Sequence, residues 1–168
     1  MERILRDGSR VTIRPIRPDD KAELEAGLHR LSDESVHKRF LGPKPSFTRA
    51  ELRYLTELDG HDHVAFVAES PAFPGAIVAV ARYVRLMDES DTAEMAIVVA
   101  DPLQGRGLGA ILADELAGEA MRQGITRFSA TMLSENRAAY RLMSRLSRRL
   151  ERRHVGGGQQ EVRALIAA

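Results

Sequence analysis

The segment Glu94–Ala110, EMAIVVADPLQGRGLGA, holds two sets of residues whose types and spacing suit chemistry. One is the run Gln104-Gly105-Arg106-Gly107-Leu108-Gly109, with Ala110 after it, placed where an apolar strand gives way to a helix. Glycines at alternating positions let a backbone turn where a Cβ would forbid it. Its N–H groups can then converge on a phosphate at the helix N-terminus, where the helix dipole favours negative charge. The other is Glu94, on the strand that feeds the loop, which the apolar strand is expected to bury in part. A phosphate-bearing cofactor at one end and a proton acceptor at the other outline an acyl transfer. Glu94 is the candidate proton acceptor and general base.

These groups must be held by a mixed sheet with helices on its faces. Arg10–Ile16 alternates apolar and polar residues and reads as a strand, as do Val64–Glu69, Ala76–Leu86, Thr92–Val99 and Ile125–Met132. Pro18-Asp19-Asp20 starts a helix with Leu24, Leu28 and Leu31 at helical spacing. Ser32 caps a second helix ending near Gly42-Pro43, and Thr48 with Glu51 forms a capping box for a third. Leu108, Ile111, Leu112 and Leu116 mark a helix ending near Gly124, and Asn136–Leu146 is another. Glu151–Val155 and Glu161–Ile166 flank three glycines as a closing hairpin. With 168 residues and no linker, repeat or low-complexity tract, a single α/β (α+β) domain spanning residues 1–168 is expected.

Composition excludes some chemistry. There is no cysteine, so thiol nucleophiles, disulfides and cysteine-ligated zinc are out. The net charge of +1 and 5% aromatic content give no reason to propose a nucleic-acid partner. No apolar run approaches a membrane span and the charged start, MERILRDGSR, lacks a secretory h-region, so a cytoplasmic protein without a membrane role is the expectation. His61-Asp62-His63 lacks further histidines at helical spacing and reads as a solvated loop, so no metal site is expected. Arg141, Arg145, Arg148 and Arg152 recur as a helical stripe, read as a solvated face, with contacts to the 3′-phosphate of coenzyme A or to an acidic protein as the functional alternatives.

Gly105, Gly107 and Ala110 also satisfy a relaxed dinucleotide fingerprint, but that loop follows a fold's first strand, whereas several strands precede it here. Gln104–Gly109 instead resembles motif A, [QR]-x-x-G-x-[GA], of the GCN5-related N-acetyltransferases (GNAT). Thr12–Asp20 is similar to that family's first strand and helix, and Ser134–Ala139 to its second cofactor element. Ser32–Ser35 through Arg39-Phe40, with Ala93–Ala96, is most similar to the bacterial protein lysine acetyltransferases that act on acyl-CoA synthetases.

The resemblance implies a GNAT-type, mostly antiparallel sheet in which two parallel strands, here Glu94–Val99 and Ile125–Met132, splay to admit acetyl-CoA. It implies that backbone groups of Ile97, Val98 and Val99 pair with the pantetheine arm, with N–H groups of Gln104, Gly105, Arg106, Gly107, Leu108, Gly109 and Ala110 on the pyrophosphate. The Arg106 side chain either adds a charge-assisted contact or faces solvent. Asn136 bonds the pantetheine, caps the last helix, or does both. A strand N–H would meet the oxyanion. Many relatives carry a tyrosine acid seven residues after the asparagine; position 143 is methionine here, and Tyr140, one turn earlier, is expected to pack. The favoured acceptor is a protein lysine, such as one on an acyl-CoA synthetase. A small-molecule amine and a non-catalytic acyl-CoA-binding module are the alternatives.

Overall fold

The structure is a computed structural model that describes residues 1–147 and 149–166. Its strands are β1 (Glu2–Ile4), β2 (Arg10–Pro15), β3 (His63–Glu69), β4 (Ile77–Arg85), β5 (Thr92–Val99), β6 (Arg127–Leu133), β7 (Leu150–Gly156) and β8 (Gln159–Leu165). Its α-helices are α1 (Lys21–Arg30), α2 (Asp33–Phe40), α3 (Arg49–Thr56), α4 (Leu108–Arg122) and α5 (Arg137–Leu146). They form one eight-stranded sheet in the order β1-β2-β3-β4-β5-β6-β8-β7, antiparallel throughout except for the β5–β6 pair. This is the mixed, mostly antiparallel sheet expected from the sequence.

Each face of the sheet carries its own core. On one face, Ala79, Ala81, Tyr83, Ala93 and Met95 pack with Leu108, Leu112, Leu116 and Ala120 of α4 and Met143 of α5. On the other, Ala65, Val67 and Val80 pack with Leu24 of α1 and Leu52 and Leu55 of α3. The helices begin where the chain supplies acceptors. Ser32 Oγ accepts from the Ser35 N–H, and Thr48 and Glu51 form a reciprocal capping box. α2 ends two residues before the expected Gly42, on Leu41, which takes a left-handed φ of 61°.

Two further differences have physical causes. β1 has no counterpart in the sequence reading, because three residues whose one apolar side chain, Ile4, is exposed give no alternation to detect. Asp7-Gly8, the usual composition of a tight hairpin turn, was its signal. Arg152 does not extend a helical stripe: α5 stops at Leu146 and Arg152 lies on β7, its guanidinium 5.0 Å from the Tyr140 ring centroid. Arg148 lies outside the described residues. Among the described residues, no helix is long and apolar enough to cross a membrane.

Candidate active site

β5 and β6 pair through Thr92–Arg127, Ala93–Phe128 and Glu94–Ser129, and then part. β5 runs on against β4 to Val99, and β6 against β8 to Leu133. The edge of β5 facing β6 is therefore left without a partner strand beyond Glu94. A cleft of about 730 Å³ opens there, walled by Met95–Val99, Ala130–Met132, the glycine loop, α2 and α5. Of the residues singled out from the sequence, Glu94, Ile97, Val98, Val99, Gln104, Gly105, Gly107, Gly109, Ala110 and Asn136 line it. Arg106 and Leu108 do not: Leu108 is a core residue at 1% exposure, and Arg106 Nη1 is bound to Asp7 Oδ2 at 2.7 Å.

The loop is shaped by two glycines. Gly105 and Gly107 have φ of +76° and +93°, which an L side chain rarely adopts. Gly109 does not share that role. It sits in α4 with ordinary backbone, and a Cβ there would make van der Waals contact with Leu142 at 3.6 Å. The N–H of Gln104 donates to Asp101 O and that of Ala110 to Gly107 O. Between them, Gly105, Arg106, Gly107, Leu108 and Gly109 have N–H groups with no protein acceptor among the described residues. A left-handed bend at a helix start with such a row of free donors is a concavity for an anion.

The Gln104 side chain is a brace. Its Nε2 donates to Val99 O and to Ser35 Oγ, both at 3.0 Å. Ser35 Oγ donates to Asp101 Oδ1 at 2.8 Å, and Ser32 N–H to Asp101 Oδ2 at 3.0 Å. Burial opposes charge on Asp101, but these serine donors outweigh it and hold its carboxyl below the usual range. One carboxylate thus ties α2 to the loop after β5. Nothing in the glycine motif signals Asp101; the Asp-Pro start of the short 3-10 turn at Asp101–Leu103 was the available hint.

Asn136 does two jobs. It is 8% exposed, and its Oδ1 accepts the Ala139 N–H at 3.1 Å as the cap of α5. Its side chain also lines the cleft, and its Nδ2 has no acceptor among the described residues. Met143 is 1% exposed and lies against the cleft, whereas Tyr140 packs on the core and does not line it.

Glu94 stands at the point where the strands part. It is exposed at the cleft, contrary to the partial burial expected on its strand. Its even-numbered side of β5 faces α2, whose Lys38, Arg39 and Phe40 also line the cleft. Lys38 is paired with Glu34. Arg39 has no carboxylate within ion-pair distance among the described residues, and its guanidinium lies 4.8 Å from the Phe40 ring centroid. Burial pushes Arg39 down, opposed by the Glu94 charge. Behind it Arg82, 6% exposed, is pushed down to about 10 by burial and by Arg39. Arg82 bonds His63 Nε2 and Leu55 O, both at 3.2 Å.

His63 is pushed down to about 4 by burial and the Arg82 charge, and its ring lies against that of Tyr54, 4.8 Å between centroids and tilted by 46°. It is therefore a neutral interior group rather than part of a solvated loop. His61 and Asp62 do lie in an exposed turn, where Asp59 Oδ1 accepts the N–H groups of His61, Asp62 and His63. That turn also brings the Asp59 and Asp62 carboxylates and His61 together.

A family model described as "Acetyltransferase (GNAT) family" matches residues 29–147. Acetyltransferase Pat of Mycolicibacterium smegmatis is 35% identical over 158 residues, 94% of this chain and 47% of that protein. The chain thus spans about half the length of that relative. Acetyltransferase PA5475 of Pseudomonas aeruginosa is 35% identical over 136 residues, 80% of this chain and 72% of that protein. Among solved structures, the GNAT domain of S. lividans PAT superposes with a TM-score of 0.85 at 29% identity, over 97% of this chain and 94% of that one.

Proposed function

The chain belongs to the acetyltransferase (GNAT) family, and we propose that it is an N-acetyltransferase moving an acetyl group from acetyl-CoA to a primary amine by direct attack. The observation that carries this reading is the parting of β5 and β6 after Glu94–Ser129, with free backbone donors at one end of the opening and a carboxylate where it starts. The diphosphate of acetyl-CoA is held by the N–H groups of Gly105–Gly109. The pantetheine arm lies against the unpaired edge of β5 at Ile97–Val99, and Asn136 Nδ2 donates to one of its amide carbonyls.

That placement brings the thioester toward Glu94. The carboxylate takes a proton from the acceptor ammonium through a water, and the freed amine attacks the thioester carbonyl carbon. The oxyanion is met by a strand N–H. As the C–S bond breaks, the nitrogen gives up its second proton to solvent and CoA leaves as a thiolate, which takes a proton from solvent. A thiolate is a fair leaving group, so the chemistry tolerates methionine at position 143. Exposure of Glu94 suits this role, because the base must reach a large acceptor entering from outside. The absence of a cysteine nucleophile also fits direct transfer.

The favoured acceptor is a protein lysine. The support is the similarity of Ser32–Phe40 and Ala93–Ala96 to the protein lysine acetyltransferases, and the whole-domain match to relatives named Pat. One observation favours a second reading, a non-catalytic acyl-CoA-binding module: among the described residues no tyrosine hydroxyl lines the cleft.

Thiol release from acetyl-CoA, measured with a purified acyl-CoA synthetase and with a panel of small amines, separates these readings. Release with the protein, plus an acetyl mass shift on one of its lysines, is the expected result. Release with small amines alone would move the acceptor to metabolism. CoA binding without release in either arm would leave the module.

A further inference from the structure

The glycine loop meets a second element that is neither in motif A nor within residues 29–147, the part matched by the family model. The hairpin joining β1 to β2 folds against it. Leu5 plugs the core at 3% exposure, the Arg6 N–H donates to Arg106 O at 3.1 Å, and the N-terminal ammonium donates to Ile13 O at 2.7 Å. The backbone of Arg6 is therefore fixed to the loop while its side chain stays exposed.

That side chain lies across Gly107: a Cβ built there would stand 3.3 Å from Arg6 Cγ and from Nε. Arg6 lines the cleft, and its guanidinium has no ion-pair partner among the described residues. Arg106 beside it is held by Asp7 at 2.7 Å; on α5, Arg145 is held by Asp114 at 2.8 Å, while Arg141, which also lines the cleft, has no ion pair among the described residues. The cation that the motif suggests for a phosphate is thus already neutralised, and an uncommitted one stands over the free N–H row.

We propose that Arg6 is a cofactor-binding residue: its guanidinium contacts the CoA diphosphate from the side opposite the Gly105–Gly109 N–H groups, so the β1–β2 hairpin clasps the phosphate end of the cleft. Backbone donors carry only partial charge, whereas a guanidinium supplies a full one in a fork that matches phosphate oxygens. Asp7 serves the same end indirectly. By holding Arg106 to the hairpin it positions the turn that presents Arg6. The inference rests on the reading that the cleft takes acyl-CoA.

The test is calorimetric titration of the full chain with CoA and with 3′-dephospho-CoA, for the unmodified protein, Arg6→Gln and Arg6→Lys. Arg6→Gln is expected to weaken both ligands equally, by about tenfold or more, the scale of one charge-assisted contact. Arg6→Lys should recover part of the loss. The melting temperature should not move, since Arg6 is exposed and makes no ion pair. Unchanged CoA affinity in Arg6→Gln would overturn the proposal. So would a loss seen with CoA but not with 3′-dephospho-CoA, which would place Arg6 on the 3′-phosphate. Failure of the unmodified protein to bind either ligand would instead overturn the cofactor reading beneath it.

Discussion

The two ends of the cleft are built from different materials. At the end we assign to the phosphates the donors are mainly backbone N–H groups of one continuous loop, shaped by positive φ at Gly105 and Gly107, braced through Gln104, Ser35 and Asp101, and overlain by the Arg6 side chain. At the other end the groups are side chains from separate elements, the exposed Glu94 on β5 and Lys38 on α2 with the half-buried Arg39 and Phe40 beside them. The first end is preorganised and indifferent to which acyl-CoA consumer the domain becomes. The second can change one side chain at a time without disturbing the first, and we place acceptor choice there.

If the ends are separable, changes at each should have opposite signatures. The largest expected effect is at the acceptor end. Glu94→Gln should lower turnover by about 10²–10⁴, the usual contribution of a positioned base, with CoA affinity unchanged in titration. Undiminished turnover would remove Glu94 from the mechanism. Gly107→Val should do the reverse. A β-branched residue at φ +93°, with its Cβ against Arg6, strains the loop, and CoA affinity should fall roughly tenfold or more. Affinity that stays intact would show that the diphosphate is held elsewhere.

Behind the acceptor end, His63 makes stability depend on pH. Its folded-state value of about 4 lies below its ordinary 6.5, so the unfolded chain binds more protons between them. Stability is then full above about pH 6.5 and lost as pH falls toward 4, by up to about 1.4 kcal/mol per unit from this group. Urea titrations at stepped pH check this, and His63→Gln should flatten the profile over that window. The smallest effect is at the brace. Asp101→Ala removes the acceptor for Ser32 and Ser35 and should cost about 1 kcal/mol in urea, with a several-fold rise in the KM for acetyl-CoA. An unchanged KM would mean that α2 does not help to hold the loop.

The same contrast explains what the sequence made legible. The glycine loop is local: strand, glycine turn and helix are consecutive, so spacing together with the resemblance to motif A picks out Gln104–Ala110 with Glu94 ahead of it, and the structure brings most of these residues to one cleft. Asn136 was legible as a cap because capping is also local. What spacing could not give was which loop residues are already occupied. Arg106, which the motif leaves either to a phosphate contact or to solvent, is paired with Asp7, far away in sequence. Arg6, Asp101, Arg39 and Arg82 escaped for the same reason, since each matters through a partner on another element. β1 escaped because it is too short to show a period, although it carries Leu5 and Arg6 into place. Gly109 was over-read as a third turn glycine when its place in α4 asks only for a small residue near Leu142.

The most direct test of the account is hydrogen–deuterium exchange of the backbone amides, with and without CoA. The N–H groups of Gly105–Gly109 have no protein acceptor and should exchange fast in the free chain. Saturating CoA is expected to protect them, together with Ile97–Val99 on the unpaired edge of β5, and to leave the exposed β7 strand unchanged. Protection that bypasses the Gly105–Gly109 loop, with CoA demonstrably bound, would contradict it.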